Sequence, residues 1–304
     1  MQIISQKAVE RRAYWVDEIV KISGRFGEDS SRVDAELTAE VDKDGTKAIV
    51  DHLRLCGSIP ERYGHDTSEE KLYSKYTDAL LAVAYRHIGL TAAVLSERAD
   101  AADVEAVSKD YGLVADAKVF RLSRTAKNQK DFKIEALHGW KRGKPHAMVV
   151  CPIYQLPTRT SQIYQQAIAR EVCIFSYAHL AVLTSFADVK TKPAAQELLL
   201  GILKCTEAMN PDKDAAAYWT NLNRTMLAFD RRISELWKIE KLATLESINL
   251  AKEEALAFLA KEREQIMRMS REDAIRHLIR NRNIDGRQKV INAVADNDIL
   301  SLGA

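Results

Sequence analysis

The chain has no excess charge of either sign: 45 Lys and Arg stand against 43 Asp and Glu, leaving a formal +2 over 304 residues. A global basic field is excluded, so any footprint for a polyanion must be local. Cysteine is scarce. Cys56, Cys151, Cys173 and Cys205 form no CxxC pair, and no Cys/His spacing resembles a zinc site. They read as reduced, buried thiols of a cytoplasmic protein. No run approaches the ~20 apolar residues of a transmembrane helix. The N-terminal MQIISQKAVERRAYW has no apolar core of signal-peptide length. The expectation is a cytoplasmic protein with no membrane partner. A Gly-rich phosphate loop, a G-x-S-x-G elbow and a dinucleotide fingerprint are all missing, and the seven histidines form no cluster.

What remains is an ordinary globular composition, 46% hydrophobic and 29% charged. The length suits one large domain or two closely packed ones. Residues 1–56 read as two charged helices with a break at Gly24–Ser31. Gly57 to Gly64 is a loop. Thr67 or Ser68 caps a helix running to about His87, with Glu69 and Glu70 in its first turn and Gly89 as its C-terminal cap. Two strands follow, Asp103–Ser108 and Gly112–Phe120. The turn between them is short enough only for an antiparallel hairpin. A basic segment then becomes a helix to about Trp140. Ala147–Ile153 and Val172–Tyr177 are strand candidates around a short helix, Ser161–Arg170. Beyond residue 178 only helices are expected, among them a long amphipathic one from Ser234 to about Met269, packed on its own core or serving as a dimer arm. The fold class is α/β (α+β): a mixed sheet flanked by helices, with a largely helical C-terminal half.

Chemistry concentrates between Tyr111 and Lys133. Asp116 and Lys118 interrupt an apolar strand, GLVADAKVF, and at i and i+2 they share a side of it. Asp103 stands at the head of the partner strand, and side chains facing each other across a hairpin lie about 5 Å apart. Magnesium takes oxygen ligands, usually one or two protein carboxylates. Asp103 and Asp116, with the backbone carbonyl of Ala117, form such a set. Lys118 can hold or deprotonate an attacking water and neutralise transition-state charge. Glu70 is a candidate third, outer carboxylate, or a helix N-terminal charge. Glu105 is either a participant or a strand-edge ion pair.

Lys118, Arg121, Arg124, Lys127, Lys130 and Lys133 recur every three residues, opposed only by Asp131. From Arg121 onward this spacing aligns charge along one helical face or a winding edge, suited to phosphates. Ser123, Asn128 and Gln129, interleaved with them, can read base edges. The alternative is a solvated cationic helix. Thr158 to Gln162 forms a polar loop that either holds phosphate or caps a helix.

These residues carry a resemblance. YGLVADAK followed by FRLSRTAKNQKDFK resembles the HindIII-type Type II restriction endonucleases, as do EEKLYSK at 69–75, SQI at 161–163, FSYAHLAVL at 175–183 and REDAI at 271–275. The likeness is strongest from about 57 to 183. It implies the PD-(D/E)xK nuclease fold, a homodimer, Mg2+ (with Mn2+ able to substitute) and double-strand cleavage of a palindrome. The implied site is AAGCTT, cut between the adenines to leave 5′-phosphate overhangs. It also implies a restriction-modification system, with a cognate DNA methyltransferase as genetic rather than physical partner. The motif falls on Asp103, Asp116 and Lys118. Ala102 stands where the general motif has proline, and the hairpin turn is shorter than in the family's namesake, which shifts the expected register of Asp103. The domain plan is a helical region 1–56, a catalytic and recognition core 57–185, and a helical region 186–304 for dimerisation and DNA contacts, all in one integrated unit. A structure-specific repair or junction nuclease of the same fold is the alternative enzyme; a non-catalytic DNA-binding protein is the other.

Overall fold

The computed structural model describes residues 2–22, 24, 26–95, 101–124 and 129–292. Contacts divide the chain into two compact units, Met1–Ala255 and Leu256–Ala304. Among the described residues, no helix is long and apolar enough to cross a membrane.

The first unit opens with three helices. α1 (Gln6–Ile22) buries Trp15, Val16, Ile19 and Ile22, the i, i+3/i+4 stripe of an amphipathic helix. The expected second helix is two, α2 (Phe26–Asp44) and α3 (Thr46–Leu55). Gly45 separates them at φ +66, where an L side chain would be strained. α4 (Ser68–His87) runs to the expected residue. Thr67 Oγ1 accepts from Glu70 N at its start, and Gly89, at φ +94, turns the chain after it. Leu72, Leu80, Leu81, Ala84 and Ile88 are buried, as their spacing predicts.

The sheet has five strands in the order β1 (Thr91–Val94), β2 (Val104–Val107), β3 (Gly112–Ala117), β4 (His146–Cys151) and β5 (Val172–Ser176). The first three pair antiparallel; β3, β4 and β5 pair parallel. Every residue of β3, β4 and β5 is buried, which is why they read as unbroken apolar runs. β1 lies at the edge and was not expected: Thr91-Ala92-Ala93-Val94 is short and lacks bulky β-formers, and only its pairing with β2 makes it a strand. α4 packs on β1, β2 and β3, while α5 (Ile134–Gly139) and α6 (Gln162–Ala169) pack on β4 and β5.

The expected helix from the basic segment to Trp140 is cut to α5. Leu122 and Ser123 form a turn, and Gln129–Phe132 is a single 3-10 turn. Lys133 sits at φ 50 in the left-handed region, which breaks the i→i−4 ladder. The helices α7 (Tyr177–Val189), α8 (Lys192–Glu207) and α9 (Ala215–Phe229) complete the core behind β5.

α10 (Arg231–Arg268) begins in the first unit and ends in the second. Its buried face is Ile233, Trp237, Glu240, Ala243, Ser247 and Ala251, while Ile239, Leu242 and Leu245, which recur near helical spacing in the sequence, are exposed. Polar contacts set this rotation. Arg54 pairs with Glu240, Ser247 Oγ donates to Arg54 O, and Glu246 accepts from Ile3 N and Ile4 N. In the second unit, α11 (Arg271–Asn281) is capped by Ser270, which accepts from Asp273 N as its sequence pattern predicts; α12 (Ile284–Asn292) follows. Neither helix has a buried residue.

Two buried polar knots give the first unit a pH signature. His179 is fully buried between Ser176 Oγ at 2.5 Å and Asn223 Oδ1 at 2.8 Å, with Trp219 stacked on it. Burial drives its pKa down to about 4, against the opposing effect of Asn223 Oδ1, which accepts from His179 Nε2. Glu40 accepts from Trp15 Nε1 and Arg11 and lies beside His52; burial raises its pKa, but His52, Arg11 and Trp15 outweigh it and hold the carboxyl at about 2. The His179 contribution is complete above its unfolded value of 6.5 and is lost as pH falls from there to about 4. That loss is on the order of 3 kcal/mol. The Glu40 contribution is complete above 4.5 and is lost between there and about 2. Asp78, buried on α4 and pushed up from 3.8 to about 7, gains stability as pH falls through that same upper window and offsets the His179 loss. Acidified from pH 7 to 4, His179→Gln should therefore lose less stability than wild-type protein, with the Glu40 loss below 4.5 unchanged, as measured by calorimetry across the range.

Candidate active site

The hairpin puts the two expected acids side by side. Val104 pairs with Ala115, so the next positions outward are Asp103 and Asp116. Asp103 N donates to Asp116 Oδ1 at 3.0 Å, sealing the register one residue beyond the ladder. The short turn does not displace it: Ser108 Oγ accepts from Asp110 N and Tyr111 N, and Ser108 N donates to Tyr111 O. On the other edge of β3, Lys118 N donates to Val150 O at 2.7 Å, which carries the parallel pairing past Ala117. Lys118 Nζ then reaches Asp116 Oδ2 at 2.7 Å. Asp116 is 0% exposed, so a neutral core would reject its charge; both its oxygens are engaged.

α4 brings a second acid–lysine pair. Lys75 Nζ donates to Asp103 Oδ1 at 2.8 Å and to Asp78 Oδ2 at 3.0 Å. Burial acts to lower the pKa of Lys118, but Asp116, Asp103 and Asp78 overcome it and hold the ammonium above its usual value. Lys75 is raised likewise, by Asp78 and Asp103 against burial. Asp103 is lowered: burial opposes, and Lys75 followed by Lys118 wins. Asp78 goes the other way. Burial, then the Asp103 charge, push it up to about 7 despite Lys75.

Lys75 and Asp78 were missed in the sequence reading. A signal existed: Asp78 lies one turn before the buried Leu81 and two before Tyr85, so it is an acid on an apolar face, with a lysine at i−3. What no local pattern could show is that Lys75 also reaches Asp103, 28 positions away.

The donor set fits a hard divalent cation. Three acids, Asp78, Asp103 and Asp116, face two ammonium groups, and Asp78, pushed up to about 7, adds its full charge only above that range. Among the described residues no group of three His, Cys, Asp or Glu side chains has metal-binding spacing. A divalent ion held here would take its protein carboxylates from the adjacent pair Asp103 and Asp116, within the one or two that magnesium ordinarily takes from a protein.

The other expected residues scatter. Glu70 stays at the start of α4: its Oε2 accepts from Asp66 N at 2.6 Å, and its Oε1 lies 3.3 Å from Arg121. That is the helix-terminal alternative, with an arginine added. Glu105 pairs with Lys144 at 2.7 Å as a strand-edge ion pair. Ser161 caps α6 by accepting from Ile163 N. His138 meets Arg170 O and His146 meets Glu207.

The basic segment is not a free row of charges. Arg121 donates to Gly64 O and pairs with Glu70. Ser123 is clasped by Glu61, which accepts from its N at 2.9 Å and its Oγ at 2.7 Å. Arg124 pairs with Asp131 and lies over the Phe120 ring, 5.2 Å from its centroid. Lys130 is exposed in the 3-10 turn, which Gln129 opens. Lys127 and Asn128 lie outside the described residues.

Comparison with known proteins places the chain in a family. The model of a family described as HindIII restriction endonuclease matches residues 12–295. A protein named Type II restriction enzyme HindIII, from Haemophilus influenzae (strain KW20 / Rd), is 36% identical over 267 residues, covering 84% of this chain and 87% of that protein. The matched span takes in most of α1, all of α2 and α3, and residues 190–260, beyond the stretch from about 57 to 183 where the likeness is strongest. The chain belongs to the HindIII restriction endonuclease family.

Proposed function

We propose that this chain is a Type II site-specific deoxyribonuclease that makes Mg2+-dependent double-strand cuts in a palindrome, A/AGCTT, leaving 5′-phosphate ends. The observation that carries the reading is the meeting of Asp103, Asp116 and Lys118 at one end of β3. The 36% identity to the Haemophilus enzyme supports the choice of substrate and site.

Asp103 and Asp116, with the Ala117 carbonyl, would hold Mg2+, and Mn2+ would substitute. Bound there, the ion supplies charge neutralisation for the phosphodiester and acidifies a water. Asp116 fixes the Lys118 ammonium at 2.7 Å. From that place Lys118 holds the attacking water and offsets the charge that builds on the phosphate oxygens. Water attacks phosphorus, the bond from phosphorus to O3′ breaks, and O3′ takes up a proton. Phosphate stays on the 5′ side.

Arg121, Ser123, Arg124, Lys127, Asn128, Gln129 and Lys130 are the proposed DNA contacts. Phosphates would displace Glu70 from Arg121 and Asp131 from Arg124, two exchanges that favour DNA only when it is well seated. A homodimer would present this set to both half-sites of a palindrome. The exposed Ile239, Leu242 and Leu245 of α10 offer apolar surface for it. The enzyme would act in the cytoplasm, with a methyltransferase as a genetic, not physical, partner that protects host copies of the site.

Digestion of a plasmid of known sequence with Mg2+ should yield discrete fragments ending at AAGCTT. A smear, or cuts that follow junctions or flaps whatever the sequence, would refute the site-specific reading. Asp116→Asn and Lys118→Met should each reduce cleavage by at least about 10²-fold while a gel-shift assay shows DNA binding retained. Lys118→Met also leaves a buried carboxylate without its cation, so metal-free protein should lose about 3 kcal/mol in denaturant titration.

A further inference from the structure

Lys75 occupies a position that the active-site reading leaves unexplained. Its ammonium is shared between Asp103 Oδ1 and Asp78 Oδ2. Asp78 is 2% exposed on the core side of α4, a place where an acid is disfavoured unless it has a partner. Resting on the reading of Asp103 and Asp116 as cation-holding carboxylates, we propose that Lys75 is the resident counter-ion of Asp103 and gives up that place to the divalent cation by withdrawing onto Asp78.

The geometry suits an exchange. A protonated lysine cannot ligate a metal, so its ammonium and a divalent ion compete for the same Asp103 oxygens. Lys75 and Asp78 are i and i+3 on one helix, so the lysine can stay on Asp78 while leaving Asp103. Its four-carbon stem permits this without movement of α4. α4 itself is anchored, capped by Thr67 and buried through Leu80, Leu81 and Tyr85. Lys118 is not equivalent. It lies against Asp116 and belongs to the strand end, with no second acid on its own element to withdraw to. Lys75 thus offsets the charge of Asp103 among its neighbouring acids before the cation arrives, and Asp78 gives the displaced ammonium a partner afterwards. Lys75 and Asp78 are positioning residues in this account; neither touches the reacting phosphate.

The test is Mn2+ affinity, measured by calorimetric titration of metal-free, DNA-free protein, with near-ultraviolet circular dichroism confirming the fold of each variant. Lys75→Gln should tighten Mn2+ binding about tenfold and Asp78→Asn should weaken it about tenfold, the scale of coupling between neighbouring sites. The decisive variant is the double substitution. If Asp78 acts through Lys75, then Asp78→Asn has no further effect once Lys75→Gln is present, and the double variant matches Lys75→Gln. An equal weakening by Asp78→Asn in both backgrounds would overturn the proposal, because Asp78 would then act on the ion directly. Unchanged affinity in Lys75→Gln would overturn it as well. Lys75→Met serves as the second probe should the glutamine variant fail to fold. Asp116→Asn separates the two readings: if wild-type protein shows no Mn2+ binding that depends on Asp116, the metal reading and this proposal fall together, whereas normal Asp116-dependent binding with a non-coupled pair removes this proposal alone.

Discussion

The carboxylate of Asp116 is fully buried, and the architecture around it answers to that one charge. Leaving it unpaired would cost several kcal/mol. One oxygen takes the Asp103 N–H and the other takes Lys118 Nζ. The first bond fixes where β2 begins relative to β3. The second requires Lys118 to stay beside β4, which its own N–H secures through Val150 O. Hairpin register, parallel pairing and site geometry are therefore one constraint seen from three sides.

α4 extends this constraint into a network. It packs on β1, β2 and β3 and inserts Lys75 and Asp78 beside Asp103. Two acid–lysine pairs, one from a helix and one from a strand end, share a single cluster. The near-neutral charge of the whole chain has a local counterpart here and in the basic segment. There, Glu70 and Asp131 hold Arg121 and Arg124, and Glu61 holds Ser123. Cationic and polar groups there are engaged by the protein's own carboxylates, which gives residues 121–124 a defined conformation.

Much of the fold was legible because its signals are local. The β2–β3 hairpin follows from a turn too short for anything else, and β4 and β5 from apolar runs of strand length. α4 follows from Thr67, Glu70 and Gly89 at its ends. The misreadings share a cause. β1 is a strand only because β2 lies beside it. The basic segment has helical charge spacing, yet Lys133 in the left-handed region ends that pattern, and α5 is all that remains of the helix. In α10, periodicity favoured the leucine face, whereas Arg54 and the N-terminal Ile3 and Ile4 turn Glu240, Glu246 and Ser247 toward the body.

Sequence by itself determined the acid–lysine motif at Asp116 and Lys118, the facing Asp103 and the family likeness, since each depends on residue type and short spacing along one chain segment. Tertiary structure alone decided that Lys75 and Asp78 join them, that Glu70 stays with Arg121 at the start of α4, and that Glu61 holds Ser123. Those contacts link residues separated by 28, 51 (121 − 70) and 62 positions. They exist only once α4 and the loop before it have packed against the hairpin and the segment after it, and no periodicity within any of these stretches encodes which side chains will meet.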